Sequence, residues 1–257
     1  MKKLFTILFL LSAFISKAQE SFFRGNNNYV GPVVPAGPSI VTNSLVFNVD
    51  AANTSSYLGT GNVWNDLSGS NNIKFYSSSS YNVNANPTFS TDGGGSLVTT
   101  GIFGRSIANS GITGSVARSM EAWVKFNAVA ANAVISIGGQ ANAQLYELMA
   151  YSNNLIEHYW GNFTQSSTVL ATNTWYHIVI IYDGTTNHYI YINGVQVGIS
   201  ATPTLNTTNT PIYIGPAVTT TWGAFDGKIA ALRIYNRALT LSDVTTNYNA
   251  LKTRFGL

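Results

Sequence analysis

The sequence predicts an all-β domain: two antiparallel sheets packed as a jelly-roll sandwich, with a short C-terminal helix. Three observations carry this. From Ser44 to the end, apolar runs of strand length alternate with turn clusters of Gly, Asn, Ser and Thr. Within Ile190-Tyr-Ile-Asn-Gly-Val-Gln-Val197, Asn193-Gly194 supplies the two φ > 0 residues of a type I′ hairpin turn. Hydrophobic residues make up 45% and aromatics 12% of 257 residues, enough for one large core.

The elements follow in chain order. Met1-Lys-Lys3 precedes a 12-residue apolar run, Leu4–Ile15, and then Ser16-Lys-Ala18. A basic start, a short apolar run and small residues at −3 and −1 define a signal peptide over residues 1–18, cleaved before Gln19. As helix the run spans about 18 Å, short of a hydrocarbon core of about 30 Å. Cysteine is absent, so lipoprotein anchoring, disulfides and Cys-ligated zinc are excluded. No later segment reaches 18 uninterrupted apolar residues, so no membrane span is expected. Residues 19–43, with Gly31-Pro32, Pro35 and Gly37-Pro38, read as an extended arm, because proline and glycine resist helix and central strand.

The folded domain is expected over residues 44–257. Strands are predicted at Leu45–Val49, Ile73–Tyr76, Ser96–Thr99, Ser119–Phe126, Ala133–Ile137, Gln144–Ala150, Leu155–Trp160, Trp175–Tyr182, His188–Ile192, Val195–Gly198, Ile212–Ile214 and Lys228–Tyr235. In Ser119–Phe126 one face is apolar (Met120, Ala122, Val124, Phe126). The other carries Glu121 and Trp123, as a partly covered outer face would. Trp175–Tyr182 is apolar on both faces and reads as a central strand. Thr240-x-x-Asp243 is a capping box before a helix whose apolar face holds Val244, Tyr248 and Leu251.

Four segments occur in a telling order: Met120-Glu-Ala-Trp-Val-Lys-Phe126, Trp175-Tyr-His-Ile-Val-Ile-Ile-Tyr-Asp-Gly184, Tyr189-Ile-Tyr-Ile-Asn-Gly-Val195, and Phe225-Asp-Gly-Lys-Ile-Ala-Ala-Leu-Arg-Ile-Tyr-Asn-Arg-Ala-Leu239. They resemble the laminin-G-like branch of the concanavalin A-like lectin/glucanase superfamily, over about residues 44–257. The resemblance implies a jelly roll with one concave sheet. It does not fix a function, since glycan binders, adhesion modules, virion surface proteins and glucanases share the fold. It also implies an acidic pair where this chain has Ala230-Ala231, which weakens any metal site borrowed from relatives.

Charge narrows the chemistry. Only 9% of residues are charged. Lys2, Lys3 and Lys17 lie in the leader, leaving ten basic and ten acidic residues. No basic stripe exists for phosphate, which argues against nucleic acid. Glycoside hydrolysis needs two carboxylates across one bond. The resemblance implies a Glu-x-Asp-x-Glu strand for that role, and none is present. Glu147 and Glu157 sit on one expected hairpin, and its register decides whether they share a face. His158, His177 and His188 have no zinc spacing and no Gly-x-Ser-x-Gly elbow beside them. His177 reads as a core residue. A glycosidase is therefore a third choice, and no catalytic residue is assigned.

Asp66, Ser68 and Asn71, with Asp226 approaching from a neighbouring strand, offer hard oxygens for a structural Ca²⁺. A plain Asx turn explains the same residues. Among five tryptophans, Trp175 reads as core and Trp64 as closing a turn. Trp160 and Trp222 each precede glycine in polar loops. Either could stack on a sugar, with Tyr159 and Asn162 assisting through hydrogen bonds, or fold back as a lid. Net charge near zero outside the leader suits neutral sugars held by short-range contacts. The reading is a secreted, non-enzymatic binding module for carbohydrate or a cell-surface glycan. The alternative is a surface or virion assembly protein whose 19–43 arm docks a protein partner.

Overall fold

The computed structural model describes residues 39–201, 203–216 and 223–257. The expected leader, nearly all of the arm, and Trp222 lie outside the described residues. Those described form sixteen strands: β1 (Leu45–Asp50), β2 (Val63–Trp64), β3 (Ile73–Tyr76), β4 (Thr88–Ser90), β5 (Ser96–Val98), β6 (Phe103–Asn109), β7 (Arg118–Phe126), β8 (Asn132–Gly138), β9 (Leu145–Tyr151), β10 (Asn154–His158), β11 (Phe163–Val169), β12 (Trp175–Tyr182), β13 (His188–Ile192), β14 (Val195–Ser200), β15 (Pro211–Ile214) and β16 (Gly227–Tyr235). Helix α1 (Leu241–Leu251) and a 3₁₀ turn (Lys252–Phe255) end the chain.

The strands build two antiparallel sheets. One runs β14-β13-β12-β7-β16-β5-β4, with β1 also paired to β16; the other runs β11-β10-β9-β8-β15-β6-β3-β2. Strand alternation sends every second side chain inward. Met120, Ala122, Val124 and Phe126 of β7 and Ile178 and Ile180 of β12 meet Ile135, Ile137, Tyr146, Leu148 and Leu155 of the opposite sheet in one core. Every residue of β12 is buried, as expected of a strand apolar on both faces. The hairpin at Asn193-Gly194 has φ of 51° and 81°, the conformation a type I′ turn requires.

The outer face of the first sheet is sealed. Thr240 and Asp243 form the expected capping box of α1. Val244 packs on Val179, Ile181 and Tyr235. Tyr248, Leu251 and Phe255 pack on Trp123, Trp175, Ala230 and Ala231. The Phe255 ring stacks on Trp123 at 4.1 Å. An acid at Ala230 or Ala231, which the sequence resemblance implies, would be stranded in this apolar layer, so alanine suits the local packing. We call this the helix-backed sheet and the other the open sheet. No helix among the described residues is long and apolar enough to cross a membrane.

Four strands were not expected: β2, β4, β6 and β11. β6 contains Gly104, where a Cβ would lie 2.8 Å from both Ile73 and Ile214. Glycine is what lets β6 sit against the core there. β11 buries Thr164 and Ser166 inward, so its burial alternates while its hydrophobicity does not.

Candidate functional site

Register fixes what the open sheet displays. Phe163 of β11 pairs with His158 of β10, His158 with Glu147 of β9, and Glu147 with Ser136 of β8. Ser136 pairs with Tyr213 of β15, Tyr213 with Arg105 of β6, and Arg105 with Lys74 of β3. These seven residues form one row across the sheet. Their neighbours Tyr146 and Leu148 point into the core, so the row faces outward. One step along the strands, Ala133, Met149 and Ile156 form an apolar cluster on the same face.

At the β9–β11 end this face holds a groove of about 310 Å³, lined by Met149, Tyr151, Ile156, His158, Gly161, Asn162 and Phe163. Met149 and Ile156 are buried and give it an apolar floor. Phe163 is 51% exposed and Tyr151 43% exposed, so each presents part of a ring to solvent. His158 Nδ1 lies 3.1 Å from Glu147 Oε1, and that carboxylate is buried. The groove therefore offers ring faces and apolar carbon beside hydrogen-bonding groups.

Two aromatics bracket this region with left-handed backbones: Trp160 at φ 60° and Tyr81 at φ 53°. Such a conformation is uncommon for bulky residues and costs on the order of 1–3 kcal/mol each. Trp160 and Tyr81 each pack against the Leu145–Tyr213 cluster. Tyr81 also meets Tyr76 edge-on at 5.4 Å, and its hydroxyl donates to the Pro216 carbonyl at 3.3 Å. Burial pushes the Tyr81 phenol well above its ordinary range, with Tyr213 adding to the effect.

Of the expected ligand residues, Trp160 and Asn162 share the β10–β11 loop, and Asn162 lines the groove. Tyr159 does not join them. It is fully buried, its ring 4.7 Å from His188 and its hydroxyl 3.0 Å from Thr164 Oγ1. The reason is alternation: His158 points outward, so Tyr159 points in. Trp222 lies outside the described residues.

The expected calcium set does not converge. Asp66 Oδ1 accepts from Asn48 N, Ser68 N and Ser68 Oγ, and Oδ2 accepts from Asn71 N. Those donors occupy the lone pairs a cation would use, and Asp66 acts as a loop organiser. Asn48 pairs with Arg233, seven residues along β16 from Asp226, or about 23 Å at strand rise. Asp226 instead accepts from Thr100 Oγ1 and Asn127 Nδ2. Among the described residues no three His, Asp or Glu side chains form a metal-binding group.

The remaining buried charges are internal. Glu121 lies under α1, receiving Arg233 Nη1 at 2.5 Å and Asn247 Nδ2 at 2.6 Å, with His177 Nε2 at 3.3 Å. Burial alone would raise its pKa; the Arg233 charge and His177 overcome this and hold it down to about 2. Glu157 pairs in register with Leu148, so it and Glu147 face opposite sides of the sheet. Glu157 reaches across the core to His188 Nδ1 at 2.8 Å. Burial pushes Glu157 up to about 7 despite His188 and Arg118 nearby.

With this architecture in place, comparison with known proteins is direct. A family model of the concanavalin A-like lectin/glucanases superfamily matches residues 92–245. The chain belongs to that superfamily. Among curated proteins no sequence matches. Solved structures of the same fold include domain 4 of AbnA, a GH43 extracellular arabinanase from Geobacillus stearothermophilus, in complex with arabinotriose. It is 19% identical with a TM-score of 0.57, over 80% of this chain and 98% of that one. Trypanosoma rangeli sialidase is 15% identical with a TM-score of 0.58, over 87% of this chain and 36% of that one. The binding domain of botulinum neurotoxin DC in complex with SialylT is 13% identical with a TM-score of 0.56, over 81% and 52%. The chain thus spans the whole arabinanase domain but about half or less of the other two. At these identities the likeness establishes the superfamily fold.

Residues that sequence reasoning missed are His158 with Glu147, and Phe163, Tyr151, Met149 and Ile156. A signal for them existed. Tyr151 pairs with Asn154 around a two-residue turn, with φ of 50° at Ser152 and 68° at Asn153. A two-residue turn there places Glu147 opposite His158. Without glycine, Ser-Asn gives that turn only weakly.

Proposed function

We propose that this superfamily member is an exported, non-enzymatic glycan-binding module, and that its site is the groove on the open sheet. One juxtaposition carries the reading. The exposed ring of Phe163, the Met149–Ile156 floor, and the polar His158 and Asn162 line one groove on the face that no helix among the described residues covers. Sugar rings present C–H faces that suit aromatic carbon and hydroxyls that suit an amide and imidazole. The solved domain holding arabinotriose shows a glycan on the same fold elsewhere.

Two features favour binding over hydrolysis. The strands of the open sheet carry two carboxylates, Glu147 and Glu157, and register puts them on opposite faces. Glu121 lies beneath α1, on the other sheet. A carboxylate pair across one glycosidic bond is not assembled from these. Export rests on the leader over residues 1–18.

The test is affinity electrophoresis of the mature protein against a polysaccharide panel, with Phe163→Ala and Asn162→Ala. Loss of one aromatic platform, on the order of 1–3 kcal/mol, weakens retention about five- to 150-fold. Melting should stay close to wild type, since Phe163 is half exposed. Retention untouched by both variants would place the site elsewhere. Reducing sugar released from the retained polymer, and abolished by Glu147→Gln, would replace the binding reading with an enzymatic one.

A further inference from the structure

Among the described residues, most basic side chains outside the open sheet have a carboxylate partner. Lys125 and Lys228 sit on Asp92, Arg233 on Glu121, Arg237 on Asp243 and Arg254 on Asp50. Arg118 is buried between the rings of Tyr146 and Tyr182. Lys252 lies over Tyr248 at the end of α1. Lys74 and Arg105 also rest on rings, but they are adjacent to each other on an outward sheet face. Neither has a carboxylate at ion-pair distance among the described residues.

They are also direct cross-strand partners, Lys74 of β3 opposite Arg105 of β6. Both face outward, since Ile73, Phe75 and Gly104 between them point to the core. Like charges at this spacing, about 5 Å between Cβ atoms, oppose folding. Each is nonetheless propped on a ring: Lys74 Nζ lies 5.8 Å from the Tyr76 centroid, and Arg105 Cζ 5.8 Å from Tyr81. Those two rings touch each other, and Tyr81 holds its left-handed backbone there. The pair is thus built in and supported, at a cost the fold alone does not explain.

Its position gives it a use. Arg105 shares the outward row that runs through Tyr213, Ser136 and Glu147 to His158 at the groove. Four strand spacings separate Arg105 from His158, about 19 Å. Of the acids on this sheet, Glu157 points inward to His188, and Glu147 is buried with its Oε1 on His158 rather than at ion-pair distance from Lys74 or Arg105. Resting on the glycan-binding reading above, we infer that Lys74 and Arg105 form an anion subsite, and that the ligand is an acidic polysaccharide bearing carboxylate or sulfate groups, laid across the strands of the open sheet. The near-zero net charge pointed to neutral sugars, but it averages over matched pairs and conceals this local excess. The 19 Å span requires several sugar residues in one chain, so a free anion or a single acidic sugar engages only one end.

The mature protein should be titrated with polygalacturonate, dextran sulfate, uncharged dextran and arabinan, and free sulfate, at low and high salt. At least one acidic polymer should bind more tightly than the uncharged ones and weaken with salt. Arg105→Gln and Lys74→Gln should each weaken it about tenfold, the scale of one charge-assisted contact. Arg105→Lys should retain most of the affinity. Both Gln variants should melt no lower than wild type, because they relieve a like-charge pair. Acidic-polymer binding unchanged by both Gln variants overturns the inference. So does free sulfate binding at the pair without any acidic polymer. Uncharged glycan bound alone, and lost in Phe163→Ala, overturns it while leaving the groove reading standing. No polymer bound at all defeats both.

Discussion

Glu157 and His188 join the two sheets through the core, and their protons set a pH signature. Burial pushes Glu157 from 4.5 up to about 7. Burial works against His188, but its hydrogen bond and charge contact with Glu157 raise it above 6.5. Between pH of about 4.5 and about 7 the folded state holds on Glu157 a proton that the unfolded chain has released, while His188 differs between the two states only above 6.5. Stability therefore falls as pH rises from about 4.5 through 7. Glu121 and Asp243 act the other way: each is held at about 2, and their contributions vanish as pH drops below about 4. Melting temperature should peak near pH 4.5–5, and Glu157→Gln should flatten the alkaline decline. An equal decline in that variant would mean the slope originates elsewhere. At this scale the sequence was only partly legible. His177 was read as a core residue and is one. The polar Tyr159–Asn162 segment marks a loop in the sequence, and Asn162 does line the groove, but loop polarity does not carry the strand phase that turns Tyr159 inward.

Single elements were far more legible, because their signals are local. The capping box, the Asn-Gly hairpin and the two-faced β12 all depend on neighbours in sequence. β6 and β11 escaped because their burial alternates with small and polar residues, a pattern hydrophobicity does not mark. The helix gives this scale its prediction. Asn247 of α1 donates to Glu121 Oε2 at 2.6 Å and to the Tyr235 hydroxyl at 2.9 Å, while its Oδ1 accepts from Val41 N at 2.7 Å. It ties the helix, the sheet and the segment entering β1 together. Asn247→Ala leaves a buried carboxylate short of a donor and should cost about 3 kcal/mol. Urea denaturation would measure it. A loss below about 1 kcal/mol would show that water enters and replaces the amide.

At the scale of the whole molecule, the two sheets have different commitments. Over β7, β12 and β16 the helix-backed sheet is closed on both faces, by the core and by α1 with Phe255. The open sheet uses one face for the core, and on its other face the described residues set the groove at one end and the Lys74–Arg105 pair toward the other. Strand pattern showed part of this division, since the Glu121–Trp123 face and the two-faced β12 read as covered; that the C-terminal helix is the cover, and that the other sheet lacks it, is a long-range fact the pattern does not carry. It yields an expectation for hydrogen exchange. In the free protein, amides of β7, β12 and β16 should exchange slowest, since these strands are paired on both sides and buried on both faces. Edge strands β11 and β14 should exchange faster. Saturating glycan should slow exchange in β9, β10, β11 and the 159–162 loop, and in β3 and β6 if an acidic polymer bridges the face. It should leave α1 and β12 as they were, because the core separates them from the ligand. Protection appearing first on α1 would move the binding surface to the opposite side of the molecule.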